Sequence, residues 1–499
     1  MDKKKSKLFQ YCLVFVVFFA IEIIVEHSHL IESSVKDDLY FMSYFCNTGF
    51  LNAVFMHGYK FRPLATGMMW LVANISNGNI FIAGYFNLLF NCICAFFIYI
   101  LSLRYLNINK WVSCFVSILY IVSHFSYYQI TNQIGITETM ATFFGICFIF
   151  SLVNYLQTSN NNIVAVLSMY FLCSMSHERY VALMPVIIIA VILAHANNKQ
   201  ERKKCVIEIF SILLVFAFIM VMFKLLVNNI MTGSGGTNVT ETFSVKQQLY
   251  NLKRAISYLF FYNSQDTWLS MIGWNDYSQK AKLVVYSSWI AIAVIIIISI
   301  VELIRMENDK RKQSIAVIVV FILCIGATVA ISSTTIRVEL RWMYYPYLVA
   351  VLLLAYLSFI TGNKTLLLIK KGCLYVYLLL ACAFSCYCRR YYCNLYYWRT
   401  YNVANSLGEL TFKEYGEEMY DKSWIVITKE VVDNTYDELL IQYDPYGKHT
   451  LDLQVVEQIS DLYSIDDLNN KEILFYDEKK GKFINISEAI HGLGINYRD

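Results

Sequence analysis

The sequence predicts an all-α polytopic membrane domain of about eleven transmembrane helices, followed by a small C-terminal α/β domain. Three observations predict it. Of the 499 residues 57% are hydrophobic and only 16% charged, and the mean hydropathy of +0.48 is far above that of a soluble domain of this length. Apolar runs of roughly 18 to 22 residues recur, the length a helix needs to cross a ~30 Å hydrocarbon core, whereas a membrane β-barrel would show shorter alternating segments. The charges are also segregated: from Arg389 to Asp499 there are 20 acids against 12 bases, and in the rest of the chain 17 against 29. The division expected is a membrane domain over 1–390 and an acidic, water-exposed domain over 391–499.

The first apolar run, Leu8 to Val25, follows Lys3, Lys4, Lys5 and Lys7 and has no small-residue cleavage site after it, which reads as an uncleaved first helix with its N-terminus in the cytoplasm. Further spans are expected near 80–102, 111–127, 138–157, 162–176, 180–195, 206–230, 283–304, 314–332, 343–360 and 366–387. The loops this arrangement puts inside collect Arg104 and Lys110; Lys199, Arg202, Lys203 and Lys204; Arg305, Lys310, Arg311 and Lys312; and Lys364, as the positive-inside rule requires. An odd number of spans places the tail outside the cytoplasm. The residues from Arg62 to Asn74 fit an amphipathic helix lying at the interface. The Gly233-Ser234-Gly235-Gly236 stretch fits a flexible outer loop or a lid. In the tail, the runs Trp424–Thr428, Glu438–Gln442 and Glu472–Tyr476 suggest strands of a small α/β unit with no nucleotide-binding motif. Most cysteines, Cys92, Cys94, Cys114, Cys147 and Cys324 among them, lie in apolar runs as small hydrophobes.

Several polar residues stand out against this background. Asp37 and Asp38 follow the first helix closely, and a carboxylate in a partly dehydrated interface is suited to act as a general base toward an alcohol. Arg62 precedes Pro63, a residue suited to the first turn of a helix, and can neutralise a lipid phosphate. Glu138 opens a span, and His177, Glu178 and Arg179 sit between two apolar runs with almost no loop. Charge at such depth costs about 2.5 to 3.5 kcal/mol per group, so these residues must pair or line a wet cavity. Arg337, Glu339 and Arg341 lead into Trp342, Tyr344, Tyr345 and Pro346; the arginine fork suits a departing phosphate, and the aromatics read as an interfacial belt.

In this order, the segments Lys36–Tyr40 (KDDLY), Phe61–Leu64 (FRPL), His177–Pro185 (HERYVALMP) and Val338–Pro346 (VELRWMYYP) resemble the GT-C superfamily of membrane glycosyltransferases, across roughly residues 1–390. The resemblance implies a GT-C-like fold in which Asp37 or Asp38 is the catalytic base and Arg341 binds the donor phosphate with help from Arg62. Glu178, His177, Arg179, Glu138, Glu339 and Tyr345 would support the site. Where this chain has His177 the family more often has lysine.

The expected activity is transfer of a sugar, with inversion, from a polyprenyl-phosphate donor in the membrane lipid to a surface glycan, lipid or protein acceptor on the extracytoplasmic face. No nucleic acid is expected as a partner. No cofactor is required, although a divalent cation bridging Asp37 or Asp38 to the phosphate would be chemically reasonable. Two rival classes share the composition. An O-antigen-type polymerase or ligase would depend on arginines of later outer loops, and a lipid or glycan transporter would expose charge on both sides of a central cavity.

Overall fold

Hydrocarbon length and backbone hydrogen bonding together dictate long, straight helices, because a helix rising about 1.5 Å per residue satisfies all its own amides inside the bilayer. The computed structural model describes residues 3–32, 36–55, 61–126, 135–158, 162–195, 201–227, 244–264, 272–335, 338–360 and 363–392. In the tail it describes 406–407, 410–411, 414–429, 444, 446–449 and 452–493. The helices are α1 (Lys3–Glu32), α2 (Lys36–Cys46), α3 (Phe50–Val54), α4 (Pro63–Ile75), α5 (Ile80–Tyr105), α6 (Lys110–Val122), α7 (Ile136–Gln157), α8 (Ile163–Ser176), α9 (Met184–His195), α10 (Arg202–Val227), α11 (Val245–Leu259), α12 (Gln279–Arg305), α13 (Asn308–Ser332), α14 (Tyr344–Phe359) and α15 (Lys364–Tyr392).

Among the described residues nine helical segments are long and apolar enough to cross a membrane; two of them include the 3₁₀ turns Glu178–Leu183 ahead of α9 and Leu340–Met343 ahead of α14. With the shorter α6 and α8, they occupy the eleven places the apolar runs predicted. α6 and α8 both start at an asparagine cap: Asn109 Oδ1 accepts from the Val112 amide at 2.8 Å, and Asn162 Oδ1 from the Ala165 amide at 3.3 Å. The helix expected over Arg62 to Asn74 is α4, an apolar helix with Pro63 at its first position.

The bundle has two chemically different ends. At one end, the Gln313 side chain donates to Gln157 O at 3.2 Å, placing the starts and ends of α13 and α7 together. Two ionic clusters lie at this level. Lys370 is fully buried, ion-paired with Glu302, and donates to Leu357 O (2.9 Å) and Ile360 O (2.8 Å). His195 lies between Glu201 (2.6 Å) and Glu208 (2.9 Å), while the Tyr155 hydroxyl donates to Glu208 at 2.5 Å. The basic residues Arg104, Lys110, Arg202–Lys204, Arg305, Lys310–Lys312 and Lys364 flank the same ends of their helices. At the other end lie the starts of α4, α5, α7 and α14 and the last turn of α15.

The tail begins after α15 and holds a four-stranded sheet of order β2-β1-β3-β4, with β1 (Ser423–Ile427), β2 (Asp452–Val456) and β3 (Lys471–Asp477) parallel and β4 (Lys482–Asn485) antiparallel to β3. β1 is central, so both its faces are covered: Trp424 and Val426 pack with Met419, Leu474 and Phe483, and Ile425 and Ile427 with Leu462, Ile473 and Ile490. The expected runs at 424–428 and 472–476 are β1 and β3, while 438–442 lies outside the described residues. The tail touches the membrane unit where the Tyr446 hydroxyl donates to Asn77 Oδ1 at 2.8 Å, in the turn between α4 and α5.

α7 and α14 approach closely because Gly145 offers no side chain to the Tyr345 ring; a Cβ built there falls 2.5 Å from Tyr345 Cε2, and the Tyr345 hydroxyl donates to Gly145 O at 3.1 Å. Gly145→Val therefore overpacks a fully buried contact and is expected to cost about 1 to 3 kcal/mol, read as a lower midpoint of thermal unfolding in detergent. Combining it with Tyr345→Leu should cost less than the sum of the two single changes.

Candidate functional site

Proline at the head of α4 fixes where that helix starts and leaves Arg62 in a non-helical conformation just outside it. The Arg62 side chain makes no capping bond. It reaches instead to Glu178, 116 residues away, with Nε and Nη2 each donating to one carboxylate oxygen at 2.7 Å. This two-point pairing is the strongest geometry available to a guanidinium.

Glu178 is brought there by a chain reversal. α8 stops at Ser176, His177 is extended, and Glu178 opens the 3₁₀ turn that leads into α9. His177 is buried, with Nε2 2.7 Å from Arg179 Nη2, while Nδ1 accepts from the Arg179 backbone N–H at 3.3 Å and lies 3.3 Å from Glu178 Oε2. Arg179 also pairs with Glu138, in the first turn of α7, and its guanidinium lies 4.7 Å from the centre of the Trp342 ring. Glu138 Oε1 is 3.5 Å from His177 Nε2. On the last element, Arg341 pairs with Glu339 at 2.5 Å and faces Glu138 from further away.

Among the described residues, one end of the bundle thus gathers Arg62, Arg179 and Arg341 with Glu138, Glu178 and Glu339, equal numbers of positive and negative groups around a buried imidazole. Burial leaves such charges stable only in pairs. The cluster is not sealed, however: side-chain exposure is 13% for Arg62, 15% for Glu178 and Arg179, and 17% for Arg341. An arrangement of partly open guanidinium groups can receive an anion.

Seven of the residues singled out in the sequence therefore come together here. Asp37 and Asp38 lie on the first turn of α2, and their side chains lie outside the described residues, as do Arg337 and the Gly233–Gly236 stretch. The expectation of a divalent cation falls on those same two aspartates; among the described residues no group of three or more His, Cys, Asp or Glu is arranged to hold a metal. α2 itself packs along α4, with Met42 and Phe45 against Met69, Val72 and Ala73, and Ile136 and Met140 of α7 join the same cluster.

The aromatic belt expected after Arg341 is corrected. Trp342, Tyr344 and Tyr345 are all buried, and Tyr345 spends its hydroxyl on Gly145 and its ring edge on Tyr180, 5.1 Å away. Tyr345 is a packing residue of the α7–α14 contact, not a group facing the charged cluster. Its partner lies 200 residues away in sequence, so only the three-dimensional structure reveals it.

A polar chain that the sequence analysis did not single out lies deeper. Glu22, fully buried in α1, accepts from Asn91 Nδ2 at 2.6 Å, and the Tyr344 hydroxyl donates to Asn91 Oδ1 (3.4 Å) and Tyr120 O (3.2 Å). The signal was present, since Glu22 is a lone carboxylate inside an apolar run. A second missed residue, Arg389 near the end of α15, donates to Ile121 O and Ser126 Oγ, both at 3.3 Å.

No family model and no curated protein matches the chain. Among solved structures it is similar to ArnT from Cupriavidus metallidurans bound to undecaprenyl phosphate, with 9% identity over 97% of this chain and 95% of that chain and a TM-score of 0.45. That likeness is too distant to carry residue roles across.

His177 lies between the two apolar segments, and burial first, then the Arg179 and Arg62 guanidinium groups, push its imidazole down to about 3 against the opposing pull of Glu178 and Glu138. The folded protein therefore holds His177 neutral while the unfolded chain protonates it near 6.5, so the unfolded state binds more protons between those values. Stability is expected to be complete above about pH 6.5 and to fall as pH drops toward 3. His177→Gln should flatten that part of the dependence of unfolding midpoint on pH.

Proposed function

We propose that the protein is an integral membrane glycosyltransferase that moves a sugar from a polyprenyl-phosphate-linked donor to a surface glycan, lipid or protein acceptor. The observation that carries this reading is the partly open arginine cluster at one end of a helical membrane bundle, beside the helix that begins with Asp37 and Asp38. An apolar donor tail and a charged head need such a place, where hydrocarbon and water meet.

The basic residues flank the opposite end of the helices, and by the positive-inside rule that end faces the cytoplasm. The site then opens on the extracytoplasmic face, where the tail also emerges, since α15 runs from Lys364 to Tyr392 toward the site end. Under this reading the acceptor arrives from outside and the donor from within the leaflet.

In the reaction, Asp37 or Asp38 takes the proton of the acceptor hydroxyl as its oxygen forms a bond to the anomeric carbon. The bond from that carbon to the donor phosphate oxygen breaks, and Arg341, with Arg62, stabilises the negative charge that the departing polyprenyl phosphate gathers. A single displacement inverts the anomeric centre. Glu178, Glu138 and Glu339 hold the three arginines in place before the donor binds.

Sugar transfer from lipid-linked donors to an acceptor glycan, followed with purified protein in detergent, tests the assignment. Asp37→Asn or Asp38→Asn is expected to lower turnover by about 10²- to 10⁴-fold, the usual contribution of a general base. Full activity in both variants would remove the base from this segment. Arg341→Lys keeps the charge but loses the planar fork, so donor affinity should drop on the order of tenfold; undiminished donor affinity would exclude Arg341 as the phosphate ligand.

A further inference from the structure

An arginine recognises phosphate by presenting two parallel N–H groups to two oxygens of one anion. In this protein that fork is already filled on Arg62: Nε and Nη2 meet the two oxygens of the Glu178 carboxylate at 2.7 Å each. A carboxylate in this geometry offers the guanidinium the same pair of oxygens that a phosphate offers.

We propose that Glu178 is an internal stand-in for the donor phosphate, closing the Arg62 fork while the site is empty and yielding it to the incoming lipid-linked phosphate. The proposal rests on the reading of Arg62 as a phosphate ligand.

Charge balance favours an exchange. Among the described residues three guanidinium groups face three carboxylates, so an added phosphate brings further negative charge into a mostly buried space unless one carboxylate gives way. Of the three, Glu178 is the one built to do so. Glu339 is fully buried, and Glu138 is held in the first turn of α7 by Arg179 with His177 behind it. Glu178 is 15% exposed and stands at the head of a 3₁₀ turn between two helices, where its side chain can swing aside without unwinding either one.

The exchange also selects among anions. A monatomic anion such as chloride cannot set two oxygens opposite the two parallel N–H groups as the carboxylate does, whereas a phosphate can. Glu178 thereby sets the threshold an anion must exceed to occupy Arg62.

Binding of a short-chain polyprenyl phosphate to the full-length protein in detergent, measured by calorimetry, tests this. Glu178→Gln removes the competing charge and is expected to tighten binding on the order of tenfold, the worth of one charge-assisted hydrogen bond; Glu178→Asp, too short to close the fork, should shift it the same way by less. Unchanged or weaker binding in both variants would overturn the exchange and leave Glu178 a positioning residue. Arg62→Ala should weaken binding and abolish the gain from Glu178→Gln in the double variant. A gain that persists without Arg62 overturns the proposal as well, because it would mark a general effect of negative charge. If Arg62→Ala alone leaves binding intact, the assignment of Arg62 fails first and takes the exchange with it. Inorganic phosphate should compete, with a larger effect in Glu178→Gln, and equal competition by a polyprenol lacking phosphate would count against any role for the fork.

Discussion

The pairing of arginines with carboxylates at one end of the bundle is the constraint on which the rest of the membrane unit depends. Each of these groups, taken singly out of water, would cost more than a helix end can return, so the chain segments that carry them must meet. Arg62 belongs to the head of α4, Glu178 and Arg179 to the reversal after α8, Glu138 to the start of α7, and Arg341 and Glu339 to the turn before α14. Four segments distant in sequence are thereby set at one level. The shortness of α8 and the 3₁₀ turns before α9 and α14 follow, because a helix continuing through His177 or Arg341 would carry the charges past their partners.

Beneath this layer, neutral packing and buried polar contacts fix the helices laterally. Gly145 lets Tyr345 lie against α7, and the Glu22–Asn91–Tyr344 chain ties α1 and α5 to the first residue of α14, three positions after Arg341. α1 precedes the helix that opens with Asp37 and Asp38. The same buried chain therefore links α1, the helix before the proposed base, with the segment bearing the proposed phosphate ligand.

How much of this was legible depended on whether the signal was local. The helices were, because the bilayer imposes a length that composition displays directly, and the asparagine caps of α6 and α8 are written at the positions they serve. The charged cluster was legible as a set of residues needing partners, since His177, Glu178 and Arg179 interrupt apolar sequence without a loop. Which partner each took was not, because Arg62 and Glu178 are 116 residues apart and nothing near either one names the other. Tyr345 was misread for the same reason: an aromatic residue near a span end looks like a belt until the glycine that receives its ring is found. β2 escaped notice as an edge strand of only five residues, Asp452–Val456, without a continuous apolar run.

Ion pairs alone do not make a site, and the other end of the bundle demonstrates it. Lys370 and Glu302 are paired as closely as any residues in the protein, yet their side chains are only 0% and 2% exposed and the ammonium is saturated by two backbone carbonyls. No ligand can reach that pair, and a phosphate would find no unspent donor there; its work is to hold α12 to α15. The arginines at the opposite end keep between 13% and 17% of their side chains open, and one of them is countered by Glu178 on a 3₁₀ turn, where a small rotation of the side chain exposes a fork without unwinding a helix. What separates a binding cluster from a structural one is that its counter-ions can be replaced. Within the charged layer, that condition is met most fully by Glu178, and the proposed exchange therefore rests on its contact with Arg62.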